Sequence, residues 1–92
     1  MGGKIIKSLD KGLQVLELFN LEKREWGITE ISKELNFYKS TVYNIISTLE
    51  QRGFVVKNPE TEKYKLGVKL FEMGSVVLKN MNLQEVASPY IR

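Results

Sequence analysis

The 92 residues contain no histidine and no cysteine, which removes imidazole bases, thiol nucleophiles, disulfides, zinc fingers and most transition-metal sites together. The acids are one aspartate and ten glutamates, and no glycine-rich phosphate loop is present. No catalysis, metal or cofactor is therefore expected, and the side chains left with specific chemistry are hydrogen-bonding and cationic. They concentrate between Tyr38 and Arg52. There Val42, Ile45, Ile46 and Leu49 gather on one side of a helix at about 100° per residue. Ser40, Asn44, Ser47 and Gln51 point to the other side, flanked by Thr41, Tyr43 and Thr48. A merely solvated helix face carries paired glutamates and lysines. Small hydroxyls and amides instead offer short donors and acceptors that match base edges in a major groove, and asparagine can pair both its polar atoms with adenine.

The cations support the same chemistry. The formal charge is +3, too small to name a partner, so its placement matters more. From Tyr38 to Lys69 six basic side chains (Lys39, Arg52, Lys57, Lys63, Lys65 and Lys69) stand against Glu50, Glu60 and Glu62, which accounts for all the excess. The stretches before and after are neutral. A polyanion would be met by this middle third.

The elements that must position these groups follow from hydrophobic spacing. A first helix is capped by Ser8, turns Leu9, Leu13, Leu16 and Phe19 inward with Val15 and Leu18 beside them, and ends near Asn20. Trp26-Gly27-Ile28 is too short for more than a bridge-like strand. A second helix of about two turns starts at Thr29 as N-cap, carries Ile31 and Leu35, and breaks near Asn36. The third runs from Tyr38 to Arg52 and stops at Gly53, the residue most able to take the left-handed cap conformation. Period-two alternation then sets Phe54 and Val56 on one face and Val55 and Lys57 on the other. Asn58-Pro59 turns the chain, and Lys63-Tyr64-Lys65-Leu66 returns with Tyr64 and Leu66 inward. A fourth helix starts at Val68 and reaches Lys79 or Asn80. Asn82 followed by Glu85 imitates a capping box, so a further helix begins there, which Pro89 kinks or ends.

One small core fits this length. The fold class expected is mainly α (α+β): a winged helix-turn-helix of three helices plus a β-hairpin wing, followed by a linker helix. Residues 1–79 form the DNA-binding domain and residues 80–92 the linker region and the start of a further helix. In that architecture the third helix enters the major groove, the second crosses the backbone with its N-terminus at Thr29 offering N–H groups to a phosphate, and the hairpin reaches a neighbouring phosphate. The expected DNA contacts are Thr29, Lys39, Ser40, Thr41, Tyr43, Asn44, Ser47, Arg52, Lys57, Lys63 and Lys65. Glu60 and Glu62 at the hairpin tip repel phosphate, which leaves contact to its flanks. The alternative is a winged helix used only for protein–protein contact, because fold does not fix function.

The chain also resembles the IclR-type transcriptional regulators. The matching motifs run in order: Ser8-Leu9-Asp10-Lys11-Gly12-Leu13, Val15-Leu16-Glu17-Leu18, Ile28-Thr29-Glu30-Ile31, Lys39-Ser40-Thr41-Val42, Thr48-Leu49-Glu50, Gly53-Phe54-Val55, Tyr64-Lys65-Leu66-Gly67 and Leu70-Phe71-Glu72-Met73-Gly74. The family's usual proline is replaced by Tyr38, and its usual His-Arg by Tyr43-Asn44, so the operator is not carried over from relatives. The resemblance implies a homodimer on a pseudo-palindromic operator. It also implies that a small-molecule effector acts only through a C-terminal domain not present in these 92 residues. Apolar residues in excess of one small core (Val15, Leu18, Val77, Leu78 and Met81) point to the same dimer. No apolar run approaches the roughly 18 to 20 residues that cross a bilayer, and the absence of cysteine fits a cytoplasmic setting.

Overall fold

A computed structural model describes residues 2–81. Four helices and a hairpin follow one another: α1 (Lys7–Glu17), α2 (Ile28–Leu35), α3 (Lys39–Gln51), β1 (Val55–Lys57), β2 (Tyr64–Leu66) and α4 (Val68–Lys79). This is a winged helix-turn-helix. The helix expected from Asn82, with Pro89, lies outside the described residues.

Helix α1 departs most from its sequence pattern. Its N-cap is Ile6, with no side-chain cap, and Ser8 lies inside the first turn. The helix closes at Glu17 and not near Asn20, because Asn20 Oδ1 accepts from the N–H groups of Glu22 (2.9 Å) and Lys23 (2.8 Å) and bends the chain away. The inward residue is Val15, fully buried, so it cannot belong to the surplus apolar surface. Leu9 and Leu13 remain 58% and 49% exposed. Only the C-terminal half of α1 meets the core. Its N-terminal half stands off α3 and leaves an open apolar groove of about 580 Å³ lined by Leu9, Leu13, Leu16, Ile45, Leu49 and Phe54.

The second helix begins at Ile28, with Gly27 and not Thr29 as N-cap. Glu30 supplies the reciprocal half of a capping box, its Oε1 accepting from the Gly27 N–H at 2.8 Å. Asn36 ends the helix in the left-handed region (φ 59°). The Ser32 hydroxyl donates to the Phe37 carbonyl at 2.6 Å, which fixes the tight turn into α3. That third helix closes as expected at Gly53 (φ 83°): the Gly53 N–H donates to the Glu50 carbonyl and the Phe54 N–H to that of Leu49. This pair of bonds satisfies carbonyls that the helix end would otherwise strand.

Strands β1 and β2 pair antiparallel with Val55 opposite Leu66, Val56 opposite Lys65 and Lys57 opposite Tyr64. The short stretch before α2 adds an isolated bridge, with the Trp26 and Tyr64 N–H groups donating to each other's carbonyls at 2.9 and 2.8 Å. Val55 and Tyr64 face the core. Leu66 shares that face but, contrary to expectation, is 41% exposed, at the far end of a three-residue strand. Gly67 itself admits no side chain, since a Cβ there would run into the Gly53 carbonyl.

The core is Val15, Phe19, Trp26, Ile31, Val42, Ile46, Val55 and Tyr64, with Leu16, Leu18, Ile28, Leu35, Phe37, Ile45 and Leu49 packed against it. Every element but α4 contributes. No residue of α4 is buried, and Val68, Phe71, Val76, Val77 and Leu78 are exposed along it.

Candidate nucleic-acid interface

Because Val42 and Ile46 anchor α3 in the core, helical periodicity turns Ser40, Asn44, Ser47 and Gln51 outward in one stripe. Ser40, Tyr43 and Asn44 are exposed, and Thr41 and Ser47 are half-buried at the margins. Among the described residues no side chain of Ser40, Thr41, Tyr43, Asn44 or Ser47 has a hydrogen-bond partner in the fold, whereas Thr48 Oγ1 donates to the Asn44 carbonyl at 2.8 Å. Thr48 is thus turned back on its own helix. Tyr38, just before α3, is 84% exposed. Lys39 stands exposed at the first turn. Arg52 stands at the C-cap on the side of α1, where it borders the apolar groove with Ser8 and Phe54.

Thr29 is exposed in the first turn of α2, but that helix end is already occupied by a carboxylate. Glu30 Oε2 lies 3.0 Å from Lys23 Nζ and 3.3 Å from Lys63 Nζ. The Gly27 N–H, then the two lysines, hold the Glu30 carboxyl at a pKa of about 2. Lys23 Nζ also sits 3.9 Å above the Trp26 ring, a cation–π contact that closes the cluster over the core.

A second carboxylate pins the wing. Asn58 Nδ2 and Thr61 Oγ1 each donate to Glu25 at 2.9 Å. These bonds, joined by the charges of Lys65 and Lys63, lower the Glu25 pKa. The tip needs this support because it turns without glycine, with Glu62 in the left-handed region at φ 62°. Wing and α1–α2 loop are thereby joined beside α3.

The expected cations consequently divide. Lys63 is engaged with Glu30 in a partly exposed ion pair. Lys65 lies on the outer face of the hairpin opposite Val56, and Lys57 lies on the other face opposite Tyr64. Ser40, Asn44 and Ser47 come together as expected. Of the residues that position the wing, namely Glu25, Glu30, Lys23, Asn58 and Thr61, none is among the expected contacts, and Asn58 enters the sequence reading only as a turn residue. Glu30 alone carried a signal, a glutamate three residues after the capping Gly27. Among the described residues no cluster of acidic, histidine or cysteine side chains is arranged to hold a metal ion, and no helix is long and apolar enough to cross a membrane.

The sequence profile of the IclR helix-turn-helix domain matches residues 8–59. The HTH-type transcriptional regulator XynR of Escherichia coli K12 is 39% identical over 87 residues, covering 95% of this chain and 34% of that protein. The HTH-type transcriptional regulator KdgR of the same organism is 40% identical over 91 residues, covering 94% of this chain and 35% of the relative. Among solved structures, an IclR family transcriptional regulator from Brucella abortus superposes with a TM-score of 0.78 at 26% identity, over 97% of this chain and 35% of that one. The chain spans about a third of the length of the curated relatives it matches.

Proposed function

The chain belongs to the family of the IclR helix-turn-helix domain, and from that premise we propose that it binds duplex DNA sequence-specifically as the operator-contacting part of a transcriptional regulator. Helix α3 enters the major groove, and the wing lies on the backbone. The observation that carries this reading is the outward stripe of α3, whose polar side chains spend no hydrogen bond inside the fold. Lys39 and Arg52 at the ends of α3 and Lys65 on the wing serve phosphates.

The unit binds as a homodimer on a pseudo-palindromic operator, supported by the wholly unburied apolar helix α4. Residues 1–79 are the DNA-binding part, and residues 80–92 lead on from it. In the longer relatives the remaining two thirds provide room for an effector-binding domain, and a small-molecule effector of this regulator acts from such a domain, in the cytoplasm.

The test is a binding selection on random duplexes followed by titration of the enriched duplex against a scrambled one over a range of salt. The expected outcome is an enriched motif, bound at least about a thousandfold tighter than the scramble, with log affinity falling linearly in log salt by about 0.9 per phosphate neutralised. No enrichment would overturn the reading in favour of a protein-contact module.

A further inference from the structure

The base-reading stripe of α3 carries no cation. Its cationic neighbours, Lys39 and Arg52, lie at opposite ends of the helix, about 20 Å apart along an axis that rises 1.5 Å per residue. Between them the outward positions are Ser40, Tyr43, Asn44, Ser47 and Gln51. In the major groove guanine presents two acceptors, O6 and N7, and is read bidentately by arginine or lysine, which carry two donors. Adenine presents one acceptor, N7, and one donor, N6, which a carboxamide matches with both its atoms. Thymine adds a methyl group that favours apolar contact.

The side chains in the middle of α3 fit the second and third of these patterns. Asn44 stands near the middle of the helix, exposed and, among the described residues, without an internal hydrogen bond. Thr48, one turn on, is committed to the Asn44 carbonyl and does not compete for its amide. Tyr43 beside it exposes 58% of its surface to solvent, an apolar ring that the core does not use.

We propose that the centre of each half-site is made of A·T pairs, with the Asn44 amide bonded to adenine N7 and N6 and the Tyr43 ring covering a thymine methyl. Guanine is disfavoured at this centre, because no lysine or arginine projects from the outward positions between Ser40 and Gln51. This assignment rests on the proposal that α3 enters the major groove.

The experiment compares the chain with Asn44→Ala, Tyr43→Ala and Tyr43→Phe variants, all at exposed positions and checked for folding by circular dichroism. Each is taken through selection on random duplexes. The enriched duplex is then remade with 7-deazaadenine, which lacks N7, or with uracil in place of thymine, which lacks the methyl. The parent is expected to enrich an A·T centre and to lose affinity with each analogue. Asn44→Ala should bind about 5- to 150-fold more weakly and become indifferent to 7-deazaadenine. Tyr43→Ala should lose the distinction between thymine and uracil, and Tyr43→Phe should keep it.

A G·C centre, a 7-deazaadenine penalty that survives Asn44→Ala, or a uracil penalty that survives Tyr43→Ala would overturn the assignment while leaving operator binding intact. Failure to enrich any motif would instead take down the parent reading as well.

Discussion

Lys63 at the base of β2 and Glu30 in the first turn of α2 are joined at 3.3 Å across 33 residues of sequence. Lys65, two residues further on, has no such partner among the described residues and lies on the outer face of the hairpin. Two lysines that look equivalent in the chain therefore do different work: one fastens the wing to α2, and the other faces outward.

Single alanine substitutions separate these roles. Lys65→Ala should weaken binding to all duplexes alike and reduce the salt slope by about 0.9, the share of one phosphate. Lys63→Ala should leave the slope unchanged and cost less than about 1 kcal/mol of stability, as befits a partly exposed ion pair. Equal flattening of the slope by both would show that Lys63 leaves Glu30 to reach the DNA.

Glu30 makes stability depend on acid. Its folded-state pKa of about 2 lies below the ordinary value of 4.5, so its contribution is complete above about pH 4.5 and is lost as pH falls through about 2. Glu25, lowered first by its bonds to Asn58 and Thr61, acts in the same direction. Thermal melts between pH 2 and 7 should show a falling midpoint on the acid side. The fall should be shallower in Glu30→Gln, which removes the titrating charge. An unchanged profile in that variant would show that the Glu30 cluster contributes nothing to the acid limb.

Burial also separates residues that share an apolar character. Ile46 is fully buried while Leu13 is half-exposed. Ile46→Ala should cost about 2 to 5 kcal/mol through the cavity it leaves, and Leu13→Ala less than about 1 kcal/mol. Urea unfolding midpoints measure both. Similar losses would mean that the α1–α3 groove is filled in solution.

Helix α4 should carry the dimer. Phe71 and Leu78 stand two turns apart on one face, both exposed. The double change Phe71→Glu with Leu78→Glu touches no core contact, so it should leave the monomer fold intact while abolishing self-association in sedimentation equilibrium. A parent chain that sediments as a monomer at high concentration would rule the dimer out.

Features governed by neighbours a few residues away were legible in the sequence. The stripe Ser40, Asn44, Ser47 and Gln51 follows from where Val42 and Ile46 fall on a helix, the stop at Gly53 from its freedom at positive φ, and the hairpin from alternation on either side of Asn58-Pro59. What the tertiary structure alone decided depends on which surfaces meet. Periodicity shows that α1 is amphipathic, but only its packing against Ile31, Val42 and Ile46 selects Val15 over Leu9 and Leu13. Nothing in the chain ties Glu25 to Asn58 and Thr61, or Glu30 to Lys63. These groups become neighbours because the Trp26–Tyr64 bridge lays the wing beside the start of α2, and a short-range pattern carries no record of a contact that closes a loop of more than thirty residues.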